Sequence, residues 1–346
     1  MTRNNPERAR QQYYERLRPN DLAPLWEVMS SLVTPEPASA CRPAIWHYER
    51  IRGQVHEAGT LITAKEAERR VLILENPGLV GQSRITTSLY AGLQLILPGE
   101  VAPAHRHTQS ALRFVVEGNG AYTAVEGEKT LMHEGDFVIT PSWAWHDHGN
   151  DSDEPMVWLD GLDIPIMALF DASFAQPLGE DVQPLSRPLG DSNARYGAGL
   201  LPVDVEQRAT SPVFSYPYAR TREALASLSR NSDWDACHGV RMKYVNPTTG
   251  GYAIPTMATF MQLLPAGFSG DTYRSTDATV FSVVEGAGHI ELPEETFRWS
   301  KRDTFVVPSW CPYRFVAEEE STLFSFSDRA VQEKLGFWRE AREAEG

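Results

Sequence analysis

Two histidines separated by a single residue, His105 and His107, and a third at His146 are the side chains of this 346-residue sequence best suited to chemistry. On a strand, residues two apart share a face, so His105 and His107 can aim imidazole nitrogens into one cavity, where His146 supplies a third donor. Neutral imidazole is a preferred ligand for divalent transition ions, and three of them leave the ion's double positive charge uncompensated. Such a site favours an anionic, chelating substrate. If the ion is six-coordinate, three positions stay open, enough for a bidentate ligand and a dioxygen molecule. The histidines alone do not choose among divalent ions, so a zinc or manganese isomerase or hydrolase remains an open alternative.

The surrounding sequence reads as short strands joined by tight turns. Leu97-Pro98-Gly99-Glu100 closes one strand and Pro103-Ala104 leads into the next, which carries the histidine pair. Arg113 to Glu117 is followed by Gly118-Asn119-Gly120, where glycine supplies positive φ. Ala121 to Val125, Thr130 to Met132 and Phe137 to Ile139 are further β-prone runs, and their close spacing predicts a barrel or sandwich. Gly99, His105-x-His107, Glu117-Gly118-x-Gly120, Gly135-Asp136, Pro141 and His146 together are similar to the two motifs of the cupin superfamily. One position departs from it: where many cupins carry a glutamate ligand, five residues beyond the second histidine, this chain has Leu112.

An internal repeat sets the architecture. Phe114 to Gly120 recurs as Phe281 to Gly288, and Asp136 to Trp143 as Asp303 to Trp310, at an offset of 167 to 168 residues. The expected fold is therefore mainly β, a bicupin of two tandem double-stranded β-helix barrels with helical N- and C-terminal arms. The expected divisions are a helical arm with leading strands over 1–80, a metal-binding barrel over 81–175, an irregular connection over 176–240, a second barrel over 241–328 and a closing helix over 329–346. Asn5-Pro6-Glu7 resembles a capped helix start, Asp21 to Leu32 has a helical pattern, and Asp328 to Glu345 reads as a charged helix with Leu335, Phe337 and Trp338 as apolar contacts. On a 167-residue offset, His105, His107 and His146 correspond to Thr272, Arg274 and Tyr313. The second barrel has thus lost the ligand set, and its expected role is packing or assembly.

Composition excludes several functions. A net charge of −14 argues against nucleic acid or an anionic membrane as partner. No apolar run reaches membrane-spanning length, and the first 18 residues are too polar for a signal peptide. Cys41, Cys237 and Cys311 form an odd, widely spaced set that implies no disulfide framework, so a reducing cytoplasm is the expected location. His47, His56, His133, His238 and His289 lack partners at ligand spacing and read as surface or turn residues.

The most specific stretches, Pro103 to Phe114 and Pro141 to Gly149, extend the resemblance. Nearly the whole chain resembles the bicupin gentisate 1,2-dioxygenases, whose close relatives cleave salicylate and 1-hydroxy-2-naphthoate. The resemblance implies iron(II) on His105, His107 and His146, an ortho-hydroxylated aromatic acid and O2 as substrates, extradiol-type ring opening, and a homo-oligomer, typically a tetramer. Arg113, six residues after His107, can point inward from the next strand, and a buried guanidinium suits a substrate carboxylate. Arg69 matches a second carboxylate-contacting arginine of the family, although alone it reads as part of a solvated helix face. His148, two residues past His146, lies near the metal and suits proton transfer, with Asp160 to orient its ring, a fourth ligand being the alternative. Gln94 and Tyr90 share a strand face, Gln94 to hydrogen-bond substrate or oxygen and Tyr90 to meet the extra hydroxyl of gentisate. A salicylate or hydroxynaphthoate dioxygenase, or a non-catalytic cupin that binds a small aromatic acid, stands as the alternative.

Overall fold

The computed structural model describes residues 6–231 and 233–343. They fall into a helical unit ending at Ala38 and a main body from Ser39 onward. In the helical unit, α1 (Pro6–Leu17) and α2 (Leu25–Leu32) flank a 3₁₀ turn at Arg18–Asn20. Trp26 donates its indole N–H to the Tyr14 hydroxyl at 2.7 Å, and that hydroxyl bonds Glu27. Neither helix buries a residue, and Leu25, Trp26, Val28, Met29 and Leu32 of α2 are all exposed. The expected N-cap, Asn5, lies outside the described residues.

The main body opens with β1 (Ala44–Trp46) and α3 (Tyr48–Leu61). The first barrel then runs through β2 (Val71–Ile73), β3 (Tyr90–Ile96), β4 (Val101–His107), β5 (Ala111–Glu117), β6 (Ala121–Val125), β7 (Glu128–Leu131), β8 (Phe137–Thr140), β9 (His146–Asn150) and β10 (Met156–Leu162). The connection holds α4 (Ile164–Leu169), β11 (Ala175–Pro177), α5 (Asp191–Tyr196), β12 (Ser215–Tyr216) and α6 (Tyr218–Asn231). It is less irregular than its polar sequence suggests, because β11 adds to the edge of the histidine strand β4. The second barrel is built from β13 (Val240–Lys243), β14 (Ala258–Leu264), β15 (Thr272–Ser275), β16 (Thr279–Glu285), β17 (Gly288–Glu291), β18 (Thr296–Trp299), β19 (Thr304–Val307), β20 (Arg314–Ala317) and β21 (Ser321–Ser327), followed by α7 (Arg329–Leu335) and β22 (Glu340–Glu343).

In the first barrel a sheet ordered β12-β8-β5-β10-β3-β2 faces one ordered β11-β4-β9-β6-β7. In the second, β1-β19-β16-β21-β14-β13 faces the smaller groups β18-β17-β20 and β15-β22. The two large sheets pack back to back. Phe114 of the first barrel stacks on Phe324 of the second with ring centroids 4.2 Å apart and planes 3° from parallel. The largest apolar cluster spans both, joining Leu112 and Phe137 to Met261 and Phe326.

Each barrel also borrows an edge strand from the other repeat. β1 pairs with β19, and β12 pairs with β8, so each large sheet has one edge covered by a foreign strand. The helix that follows is anchored in the same way: the Tyr48 N–H donates to Asp303 at 2.8 Å, and the Tyr218 N–H donates to Asp136 at 2.8 Å. A carboxylate at a helix N-terminus satisfies a free N–H and complements the helix dipole. The same helices reach back to their own repeat, Arg52 to Glu117 at 2.6 Å and Arg222 to Glu285 at 3.1 Å.

The closing helix expected over 328–345 is only two turns long. Gly336 takes φ +79° and ends α7 in the left-handed conformation, after which Glu340–Glu343 pairs with β15. Trp338 donates its indole N–H to Asp277 at 2.8 Å, whereas Leu335 and Phe337 stay exposed. Charge along this segment hides its strand character, which comes from a free edge to pair with. No helix among the described residues is long and apolar enough to cross a membrane.

Candidate metal centre

His105 and His146 face each other directly across the β4–β9 pair, just past a bulge between Ala102 and His105. The ring centroids of His105, His107 and His146 lie 4.3 to 5.2 Å apart, and one nitrogen from each falls within 4.8 Å of the others. The loop before β9 is held by Trp143, which adopts φ +63° and donates its backbone N–H to the His107 carbonyl at 2.7 Å.

Tautomer and protonation both suit a metal. Nδ1 of each ring is turned to a backbone carbonyl: His105 to Pro103 at 3.2 Å, His107 to Gln109 at 2.9 Å and His146 to Ala144 at 2.9 Å. An Nδ1–H so engaged leaves Nε2 with the lone pair, the arrangement typical of metal-bound histidine. Nε2 of His146 is buried with no hydrogen-bond partner, which is costly unless something else occupies its lone pair. Burial pushes all three rings toward the neutral form, His105 down to about 3, His107 to about 4 and His146 well below the usual range. The donor set therefore fits a divalent transition ion.

A second group of polar side chains surrounds the triad. Arg113 on β5 is 3% exposed and donates to Thr140 Oγ1 at 2.6 Å and to His148 Nε2 at 2.8 Å. Its neighbour across the sheet is Asp160, with Nε and Oδ1 3.7 Å apart. Asp160 also accepts from the Trp158 indole at 3.0 Å, and burial raises its carboxyl to about 6 against the pull of Arg113. Tyr90 and Gln94 lie on the face shared with Asp160, opposite Leu162 and Trp158 respectively. Burial, assisted by the Asp160 charge, raises the Tyr90 phenol. Below this polar layer Ile96, Val115, Val138, Met156 and Trp158 form an apolar floor.

The structure revises two sequence expectations here. Asp160 does not hold the His148 ring. The Nδ1 of His148 meets the Thr123 hydroxyl at 3.0 Å, and Thr123 is its direct cross-strand partner, while Asp160 is engaged by Arg113 and Trp158. Arg69 is not on a helix face: α3 ends at Leu61, and Arg69 sits in the following turn with its guanidinium against His105 Nδ1 and 3.1 Å from the Pro103 carbonyl. Because Nδ1 either carries a proton or accepts one, the Pro103 and Arg69 contacts select opposite tautomers of His105. Burial and the nearby Arg113 charge lower the Arg69 guanidinium to about 9, so it stays cationic at neutral pH. Sequence reasoning missed Thr123, Thr140 and Trp158. Only Trp158 was accessible from spacing, as a residue two before Asp160 on the same face.

The second barrel departs from the first at all three histidine positions, and its register corrects the equivalences. Tyr273 bridges Tyr313 as His105 pairs with His146, and the Trp310 N–H donates to Ser275 at 2.6 Å as Trp143 does to His107. The counterparts of His105, His107 and His146 are therefore Tyr273, Ser275 and Tyr313, not Thr272, Arg274 and Tyr313. The offset is 168 through β15 and drops to 167 by Asp303, and a one-residue slip reverses which face a side chain occupies. By the same pairing Arg113 corresponds to Phe281 and His148 to Phe315. Among the remaining histidines, His238 is not a surface residue. It is 2% exposed and its Nδ1 meets Asp235 at 3.0 Å. His47 is likewise tied, to Asp303 at 3.0 Å.

Residues 92–162 match the Cupin domain family. The chain is 61% identical over 336 residues to gentisate 1,2 dioxygenase 1 of Aquipseudomonas alcaligenes, covering 97% of each protein. It is 35% identical over 327 residues to 5-aminosalicylate 1,2-dioxygenase of Comamonas sp, covering 92% of this chain and 87% of that one. Among solved structures, salicylate 1,2-dioxygenase from Pseudoaminobacter salicylatoxidans, in adducts with gentisate, superposes with a TM-score of 0.92 at 35% identity, over 100% of this chain and 96% of that chain.

Proposed function

The chain belongs to the gentisate 1,2-dioxygenase family, and from that premise we propose that it cleaves gentisate with O2 to maleylpyruvate, using iron(II) held by His105, His107 and His146. The observation that carries this reading is a triad of neutral imidazoles, with Nδ1 of His107 and His146 turned to backbone carbonyls and Arg69 lying against His105, beside the buried Arg113. Iron(II), when bound, would supply open coordination positions for an ortho-hydroxy acid and for O2, and a path by which electrons of the substrate ring reach O2, so that the ring is oxidised as both oxygen atoms enter it.

The chain's own residues then have separate tasks. Arg113, fixed by Thr140, and Arg69, free to leave His105, bind the substrate carboxylate as charge-assisted donors. Taking up that anion also offsets two guanidinium charges that face one carboxylate, Asp160. His148 accepts from Arg113 at Nε2 and is fixed by Thr123 at Nδ1, so its Nε2 becomes able to exchange a proton with a substrate oxygen once that guanidinium N–H turns to the substrate carboxylate. Asp160 positions Arg113 rather than His148. Gln94 and Tyr90 line the ring side, where the Tyr90 hydroxyl suits the 5-hydroxyl of gentisate. The apolar floor keeps water from the opened ring.

We further propose a cytoplasmic homo-oligomer, a tetramer. The three unpaired cysteines fit a reducing compartment, and the exposed apolar residues of α2 fit a subunit contact. Sedimentation analysis should give four chains per particle; a monomer would refute that part. The activity is tested by oxygen uptake after anaerobic iron(II) loading, across gentisate, salicylate and 1-hydroxy-2-naphthoate. Gentisate should be consumed fastest, with the ultraviolet band of a ring-opened product. Equal turnover of salicylate would instead indicate that Tyr90 sets no preference, and no uptake with any of them would leave a binding protein.

A further inference from the structure

We propose that the second barrel carries its own binding site for a small organic carboxylate, independent of metal and built on Arg241. The inference does not depend on the ring-cleavage reading. A cavity of about 580 Å³ opens into this barrel, lined by buried His238, Phe260 and Tyr273 on its floor and by charged residues at its mouth. Four cations, Arg241, Lys243, Arg329 and Arg342, face three carboxylates, Asp233, Asp235 and Glu333. Arg329 pairs with Glu333 at 2.7 Å and Arg342 with Asp235 at 2.6 Å. Arg241 and Lys243 have no ion pair among the described residues, so a protein of net charge −14 keeps a positive cavity here.

The orphaned polar atoms point to a guest. The Arg241 guanidinium lies 4.0 Å over the Phe260 ring, and its Nε is buried without a hydrogen-bond partner. Directly across the β13–β14 pair is Gln262, fully buried, with neither its amide nitrogen nor its oxygen partnered. Ser325, opposite Phe260 on the same face, has a buried hydroxyl that is also unpartnered. Buried donors left in this state cost about 1–3 kcal/mol each, which is rarely tolerated without a compensating role. The repeat sharpens the contrast. Gln262 corresponds to Gln94, but the residue paired with it, Arg241, stands where the first barrel has Val71, so the second barrel carries a cation at a position the first fills with an apolar side chain. Gln262 and Ser325 lie beneath the lining, so the cavity itself offers the Arg241 guanidinium and the Lys243 ammonium between aromatic walls, a set that suits a carboxylate on a small, flat or short-chain acid.

The test is calorimetric titration of benzoate, which lacks the ortho hydroxyl needed to chelate, into the metal-free full-length protein. An Arg113→Met variant should still bind one benzoate per chain, and adding Arg241→Met should weaken that binding at least about tenfold. Lys243→Met, at an exposed position, should weaken it less, and a benzoate-soaked crystal of the unaltered protein should show the carboxylate on Arg241. Gentisate turnover at saturation should be unchanged by Arg241→Met. Binding that vanishes with Arg113→Met, binding indifferent to Arg241→Met, an empty cavity in the soaked crystal, or displacement by an equal concentration of sulfate would each overturn the proposal.

Discussion

The two barrels share a strand order, a back-to-back sheet interface and exchanged edge strands, yet their interiors are opposites. In the first, His105, His107, His146, His148, Arg113 and Asp160 form a polar layer over an apolar floor. In the second, the equivalent positions carry Tyr273, Ser275, Tyr313, Phe315, Phe281 and Ser325, and Phe281, Phe305, Tyr313 and Phe315 pack edge to face or stacked at 5.0 to 6.1 Å. One scaffold thus supports both a cluster of imidazole donors and an aromatic cluster at the same positions, and what differs there is whether the inward side chains can ligate a metal. An aromatic interior contributes stability through burial. A histidine interior gives that up for chemistry.

The contrast is broken most sharply by removing one ligand. His146→Ala should drop bound iron to background and lower gentisate turnover below about one thousandth of the original, measured by metal analysis and oxygen uptake. Tyr313→Ala, its counterpart, should do the reverse: it should cost about 3–5 kcal/mol of stability in denaturant unfolding and leave iron per folded chain unchanged. If Tyr313→Ala removed iron, the barrels would not be functionally separate. Arg113→Met should retain iron but raise KM for gentisate, with kcat/KM falling by about 2–4 kcal/mol equivalent. Thr123→Val keeps volume and removes the hydroxyl at His148 Nδ1. It should lower kcat about tenfold, with little change in iron content.

The smallest effect concerns the seam between the barrels. Burial pushes the Glu117 carboxyl up, but hydrogen bonds from Arg52 and Tyr48 outweigh it and hold the group down to about 2. A folded value below the unfolded one of about 4.3 means that this stability is present above about pH 4.3 and is lost as pH falls toward 2. Glu117→Gln should therefore flatten the fall of Tm across that window, whereas Glu285→Gln, at a side chain 42% exposed and screened by water, should change Tm little. Equal responses would show that the exchange is symmetric in energy as well as in topology.

Much of this was legible in the sequence. The His105-x-His107 spacing and the glycine punctuation located β4 to β9, and strand parity brought Arg113 and His148 to the same interior. Three things were not legible. The repeat offset changes by one residue between β16 and β19, and a sequence alignment without strand pairing cannot tell which side of the change His105 belongs to. Arg69 reaches the site from a turn, where no periodicity announces the direction of a side chain. The edge exchange of β1 and β12, and the pairing of β22, depend on free sheet edges that exist only after the barrels form.

The most direct test of the central claim is to count iron per chain and oxygen consumed per gentisate in the same anaerobically loaded sample, with His146→Ala and Tyr313→Ala in parallel. The account predicts one iron per chain and one O2 per gentisate in the unaltered protein and, per folded chain, in Tyr313→Ala, and neither iron nor uptake in His146→Ala. Undiminished turnover by His146→Ala, or a second iron that disappears with Tyr313→Ala, would contradict it.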